Sequence, residues 1–327
     1  MTKSTLVAII ACSTGATALY CLLWTGSFFI RTLPVQAASV AGASTEPQVL
    51  RAVQLQPYPT VASGQPFIEA GHYALLDVSS GKIVIQKSAQ SEVPIASTTK
   101  LMTSHIVSKY GRLGDTVTVS SEASSQPGSL ANLVQGENLS VHDTLYCMLL
   151  VSGNDAAHAL AEYVGGILLG SQQASAQQKT ERFVQEMNAE AVRLHMQGTH
   201  YADPAGFNDE GHSTAADLAK IASLDVADPL IQPIMGTANY TAIDKLHGYR
   251  HDLHNSDRLI TDAPFEGTVG GKTGFTDGAG HCLVSAAKRD GHTLVAIILN
   301  TNAYDTDASA REARKLLDFG FRSIVWQ

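Results

Sequence analysis

Short apolar runs mark the two ends of the chain, and helical periodicity marks its middle. "YALLDV" and "KIVIQ" flank "SSG", which predicts a hairpin over about 73–86. "IASTTKLMTS" then opens a helix that stops at Gly111. From about 113 to 248 the pattern is mostly helical. Ser140 and Asp143 have capping-box spacing ahead of Leu145, Met148 and Leu149. "DAAHALAEYV" predicts a helix ending at Gly165-Gly166, and "RFVQEMNAEAVRLHM" and "STAADLAKIASL" predict two more. Strands return in "GTVGGKTGFT", "HCLVSAA" and "TLVAIILN", the last two joined by the turn "KRDGH". "DASAREARKLLDFGF" closes the chain as a helix. Two early strands, a helical insert and three late strands imply an α/β domain whose antiparallel sheet is built from both chain ends and flanked by helices. No internal repeat is present.

The first 37 residues differ in kind. Lys3 precedes an uncharged run from Leu6 to Ile30, followed by Arg31 and "TLPVQAAS". Val35 and Ala37 are small residues placed for cleavage before Ala38, so residues 1–37 read as a secretory signal. The run also exceeds the ~20 residues that span a bilayer, so an uncleaved membrane anchor is the competing expectation. Either places the rest of the protein outside the cytoplasm, secreted or held at the outer face of the membrane. Residues 38–66, rich in Ala, Ser, Pro, Gln and Gly, read as a flexible linker. Residues 67–327 are the expected catalytic domain.

Composition narrows the classes. The chain has 327 residues, 44% hydrophobic and 16% charged, with a formal net charge of -8. Basic residues form only short pairs such as Lys288-Arg289, which argues against a nucleic-acid surface. Cys12 and Cys21 belong to the leader. Cys147 and Cys282 lie in apolar segments and read as buried thiols rather than a bridge.

The chemistry is carried by spacing. Ser97 and Lys100 stand three apart at a helix start and so share a face. A neutral lysine amine one turn away can take the proton of a serine hydroxyl, and free N–H groups at a helix start can hold a developing oxyanion. Two further elements follow in order, Ser152-Gly153-Asn154 and Lys272-Thr273-Gly274. Together these form the ordered set known from β-lactamases and penicillin-binding proteins, here with Gly153 where Asp is usual. From about Phe67 to Phe321 the sequence resembles the D-alanyl-D-alanine carboxypeptidase family of low-molecular-mass penicillin-binding proteins. "SGNDAAHALAE", "STAADLAKIA" and "KTGFTDGAGHCLVSAA" carry that resemblance alongside the three motifs.

The resemblance implies the DD-peptidase/β-lactamase-like fold and a serine-type enzyme that removes the terminal D-alanine from peptidoglycan stem peptides. Ser97 would be the acylating nucleophile, Lys100 its base and Ser152 a proton relay. Asn154 would bind a substrate amide, while Lys272 and Thr273 would grip the terminal carboxylate beside Gly274. The backbone N–H groups of Ser97 and Phe275 would form the oxyanion hole. β-Lactams would act as covalent inhibitors, with no metal or other cofactor required.

A DD-endopeptidase and a slowly turning over β-lactam sensor remain alternatives. "DPAGF", Asp203–Phe207, replaces the family's commoner Asn-Pro-His-Gly-Leu and resembles endopeptidase-like relatives. A β-lactamase is disfavoured, because "VQEMN" puts Val184 where that class carries a deacylating glutamate. His247, His251 and His254 have spacing a helix could use for zinc, but Gly248 weakens a helix and a loop or strand is expected. Asp277 and Glu92 are expected in turns, outside the site.

Overall fold

Near-continuous apolar runs in the late strands call for a sheet covered on both faces, because each residue of an alternating strand then meets a core. The computed structural model describes residues 19–24, 27–32, 60–61 and 64–326. The chain divides into two units, Met1–Leu55 and Gln56–Gln327. In the first, Leu19–Trp24 pairs antiparallel with Ser27–Thr32. Cleavage or anchoring of the leader, and the linker over 38–59, fall outside the described residues. No helix among the described residues is long and apolar enough to cross a membrane.

The second unit opens earlier than the linker reading placed it. Thr60–Val61 pairs with Ile324–Val325, and Val61 packs on a buried cluster that includes Ile324. Then come strands β1 (His72–Asp77) and β2 (Lys82–Lys87) and a single 3-10 turn, Ala96–Thr99, leading into helix α1 (Lys100–Tyr110). The helical region holds α2 (Ser121–Ser124), α3 (Val141–Leu149), α4 (Asn154–Leu169), α5 (Ala176–Arg193), α6 (Ala215–Ala227) and α7 (Ile231–Met235). A hairpin of β3 (Asn239–Ile243) and β4 (Arg250–His254) leads to β5 (Thr268–Thr276), β6 (Gly280–Arg289), β7 (His292–Thr301) and α8 (Ala308–Ser323).

The main sheet is antiparallel in the order β5-β6-β7-β1-β2, so the two ends of the chain meet where β7 pairs with β1. Along β7, Leu294, Ala296 and Ile298 join Leu316 and Leu317 of α8 in one core. Val295, Ile297 and Leu299 face the other way, into a larger core with Leu101 and Ile106 of α1 and Leu218 and Ile221 of α6. The hydrophobic contacts on both faces fix the register, since a one-residue slip would exchange the two sets.

Two local expectations change. Helix α4 runs through Gly165-Gly166 to Leu169 and ends at Gly170, whose φ of 67° suits a left-handed cap. The internal glycines serve packing. A Cβ on Gly165 would lie 2.0 Å from the Lys179 carbonyl oxygen of α5, so only a bare backbone lets the two helices come this close. At the start of α3, Ser140 Oγ accepts from the Asp143 amide as expected. The Asp143 carboxylate returns to the Ser140 hydroxyl, at 2.6 Å, rather than to its backbone. Cys147 and Cys282 are both free and buried.

Candidate active site

The 3-10 turn that carries Ser97 is held in a constrained conformation. Ala96 has a φ of 47°, sparsely populated for a residue with a side chain. The Ile95 carbonyl accepts from the Thr98 amide at 3.2 Å and from its hydroxyl at 2.7 Å. β5 passes close beside this turn, for a Cβ on Gly274 would sit 3.0 Å from the Ser97 backbone nitrogen. A loop presses on its other side: a Cβ on Gly206 would lie 2.0 Å from the Ala96 carbonyl oxygen.

Lys100, fully buried, has three partners. Its Nζ lies 2.8 Å from Ser97 Oγ, 2.7 Å from Asn154 Oδ1 and 2.8 Å from the Ala205 carbonyl oxygen. The last two can only accept. Asn154 cannot be turned round, because its Nδ2 donates to the Pro127 carbonyl at 2.6 Å. A neutral amine has two N–H groups for those acceptors and one lone pair, which is left facing the Ser97 hydroxyl. Burial pushes the Lys100 pKa well below its ordinary value and the charge of Lys272 pushes the same way, opposed by Asp203 and Asp155.

The neighbouring segments are built to hold these atoms. Ser152, between α3 and α4, is buried with a φ of 62°, a second strained non-glycine residue at the site. Asp155, one residue into α4, accepts from the amides of Ala131 (3.0 Å) and Leu133 (2.9 Å) and so fixes the segment that follows Gly128. Asp203 turns its own loop: its Oδ1 accepts from the Ala205 and Gly206 amides at 2.6 Å each, and its Oδ2 from the Asn208 amide at 2.8 Å. The "DPAGF" departure therefore presents the Ala205 carbonyl to Lys100.

A cleft of about 710 Å³ opens over Ser97. Ser152, Asn154, Thr273, Gly274 and Phe275 all line it, as expected for one site. Phe275 is half-exposed and its ring lies 4.4 Å from that of His281. Lys272 is placed differently from a direct carboxylate ligand. It is 1% exposed, lies beneath β5 rather than on the cleft wall, and its Nζ donates to the Thr273 carbonyl at 2.9 Å. Asp257, whose charge acts on Lys272, is also buried and accepts from Ser285 Oγ at 2.9 Å. Burial lowers the lysine pKa and raises that of the aspartic acid.

Several cleft residues had no motif to announce them. Ser256 Oγ lies 2.6 Å from Thr273 Oγ1, and Arg258 also lines the cleft, ion-paired to Asp307. Phe207, Asp209 and Asp277 line it as well. Asp277 does sit in the turn after β5, yet it faces the cleft; Glu92 is exposed, 3.7 Å from His212. Val184 lines a separate cavity with His158.

The three spaced histidines lie on the β3–β4 hairpin rather than a helix. His251 is buried, 2.5 Å from Glu137 Oε1; His247 pairs with Asp244; His254 is exposed beside Asn239. His251 and His254, three apart on β4, point to opposite faces, and His247 lies in the turn before that strand. Among the described residues no group of three or more His, Cys, Asp or Glu is placed to hold a metal.

Comparison with known proteins identifies the family. The profile of the family described as D-alanyl-D-alanine carboxypeptidase matches residues 60–303. The chain is 32% identical over 297 residues to a D-alanyl-D-alanine carboxypeptidase of Streptomyces sp. K15, covering 86% of this chain and 98% of that one. It is 31% identical over 280 residues to a D-alanyl-D-alanine endopeptidase of Pseudomonas aeruginosa, covering 83% and 85%. Against the D-alanyl-D-alanine carboxypeptidase DacF of Bacillus subtilis it is 30% identical over 270 residues, 77% of this chain and 62% of the relative. Among solved structures, the Streptomyces K15 DD-transpeptidase superposes with a TM-score of 0.72 at 29% identity, over 80% of this chain and all of that one. The chain belongs to the D-alanyl-D-alanine carboxypeptidase family of serine peptidases.

Proposed function

We propose that the protein is a serine D-Ala-D-Ala carboxypeptidase that trims peptidoglycan stem peptides through an acyl-enzyme on Ser97. The observation that carries this is the placement of the buried Lys100 Nζ, 2.8 Å from Ser97 Oγ with two carbonyl-type acceptors as its other partners, so that in its neutral form the lone pair is left for the Ser97 hydroxyl. As Ser97 Oγ attacks the penultimate D-alanine carbonyl, its proton passes to Lys100. The amides of Ser97 and Phe275 receive the oxyanion. Collapse breaks the C–N bond, and the proton returns from Lys100 by way of Ser152 to the amine of the departing D-alanine. Water then hydrolyses the ester. Thr273, Ser256 and Arg258 hold the terminal carboxylate, with Lys272 contributing its field from beneath the strand. No step calls for a metal or organic cofactor, and β-lactams acylate Ser97 by the same route.

The names of the relatives favour a second reading of the acyl acceptor or leaving amine. A carboxypeptidase, an endopeptidase and a transpeptidase stand at similar identity, and the acyl-enzyme is common to all three reactions. The apolar leader at 1–37 supports an extracytoplasmic location, with membrane association through the N-terminus. Release of D-alanine from a Lys-D-Ala-D-Ala peptide by wild type and none by Ser97→Ala is the expected result. No release from either, with penicillin still attached to Ser97, would replace this reading with an endopeptidase or a sensor.

A further inference from the structure

His251, the one buried member of the histidine hairpin, sits between two acceptors. Its Nδ1 lies 2.9 Å from the Ala131 carbonyl oxygen and its Nε2 lies 2.5 Å from Glu137 Oε1. The carbonyl can only accept, so Nδ1 carries a hydrogen. Glu137 is fully buried, and its other oxygen accepts from the Val134 amide at 2.9 Å. One proton is therefore shared between Nε2 and Oε1, whichever atom holds it. Without that proton an imidazole lone pair would face a buried carboxylate, which is costly.

The Ala131 carbonyl belongs to a cleft segment that depends on side chains for its shape. Residues 127–134 form neither helix nor strand, and Asn132 has a φ of 61°. Asp155 holds the Ala131 and Leu133 amides, and His251 holds the carbonyl between them. This segment in turn holds Asn154. The Ser129 carbonyl accepts from the Asn154 amide at 2.7 Å and the Pro127 carbonyl from Asn154 Nδ2 at 2.6 Å. The second bond makes Asn154 present Oδ1 to Lys100. If the Pro127 carbonyl withdraws, the Asn154 amide can turn round, and its NH2 would then occupy the Lys100 lone pair that Ser97 needs.

Other ionisable groups around this corner are engaged elsewhere. Asp244 accepts from the Asn138 amide and pairs with His247, and Asp143 accepts from Ser140 and Tyr240. Arg250 and Asp252, beside His251 on β4, are exposed and paired with each other. Cys147 is buried, which pushes its thiol pKa up and keeps it neutral.

We infer that His251 is a positioning residue: the proton it shares with Glu137 holds the 127–134 segment in the shape that orients Asn154 toward Lys100. The inference rests on the reading of Lys100 as the base for Ser97. Glu137→Gln separates the proton from the packing. Its amide can donate to Nε2 while its oxygen still accepts from Val134, so the corner stays closed with nothing left to titrate.

The test follows the second-order rate of acylation by a fluorescent penicillin from acid to alkaline pH. As pH rises and the shared proton leaves, wild type should lose acylation by about 10-fold more than Glu137→Gln does. His251→Phe, which keeps a ring but no donor, should be slower by about 10-fold at every pH. Adding Glu137→Gln to it should not restore the rate, so a stranded carboxylate is not the cause. Matching alkaline profiles in wild type and Glu137→Gln, or wild-type acylation by His251→Phe, would overturn the inference; if the phenylalanine variants fail to fold, the Glu137→Gln profile decides alone. Hydrogen exchange at one fixed pH is the second readout. The Asn154 amide should exchange faster when wild type is taken to alkaline pH than the same amide in Glu137→Gln, while amides of β7 exchange equally in both. Equal exchange at Asn154 would also overturn the inference. Expected exchange without any labelling of wild-type Ser97 would keep this control of the segment and reject the acyl-enzyme reading.

Discussion

Gly206→Ala isolates the contribution of the Asp203–Phe207 loop to the base. Gly206 has a φ of 73°, and its new Cβ would lie 2.0 Å from the Ala96 carbonyl oxygen and 2.5 Å from Thr99 Oγ1. Ordinary contact needs about 3.4 Å, so the loop must retreat by more than 1 Å, in addition to a left-handed penalty of about 1–2 kcal/mol. Ala205, the preceding residue, supplies the carbonyl now 2.8 Å from Lys100 Nζ. A retreat of that size takes it outside hydrogen-bond range. Misplacing a catalytic group by about 1 Å costs roughly 100-fold. The assay is the second-order rate of acylation by a fluorescent penicillin, with a melting curve alongside. Gly165→Ala is the control, because its Cβ also lies 2.0 Å from a carbonyl oxygen, that of Lys179, but between two helices. Both variants should melt several degrees lower, while only Gly206→Ala loses about 100-fold in acylation. Wild-type acylation by Gly206→Ala, or an equal loss in Gly165→Ala, would refute the claim that this loop positions Lys100.

Other outcomes follow from the same physics. Acylation should rise as pH rises through the depressed pKa of Lys100, since only the neutral amine accepts the proton. Lys272→Gln removes a charge that favours neutrality, so the rising limb should move to higher pH; an unmoved limb would mean that burial alone sets the base. Leu317→Ala empties a fully buried position under β7 and should cost about 2–5 kcal/mol in denaturant melts, with acylation of the folded protein unchanged. EDTA should leave both acylation and D-alanine release intact, and a loss restored by zinc would reopen the histidine hairpin as a metal site.

The strands of the main sheet and the longer helices were legible because both faces of the sheet are buried and those helices carry apolar positions at helical spacing; the short α2 (Ser121–Ser124), with only Ala123 buried, and α7 were not. Gly165-Gly166 misled for a physical reason: glycine ends helices through its backbone freedom and also lets helices touch, and only the position of Lys179 decides between the two. Ser97, Ser152, Asn154, Thr273, Gly274 and Phe275 line one cleft, with Lys100 buried against Ser97 and Asn154, and their spacing in three motifs pointed to a shared site. The Ala205 carbonyl had no such signal, since a backbone oxygen is supplied by any residue in the right loop. Ser256 and Arg258 reach the cleft only because the chain turns between β4 and β5. The burial of Lys272 was equally hidden, for strand alternation says that Lys272 and Thr273 point to opposite faces but not which face meets the cleft.

The pairing of Ser97 with a neutral Lys100 is tested most directly by mass spectrometry of the peptide spanning Ser97 after brief exposure to penicillin. Wild type should carry the adduct on Ser97, and Lys100→Met, folded by its melting curve, should carry almost none in the same interval. An adduct on another residue, or equal labelling of Ser97 in Lys100→Met, would contradict the assignment.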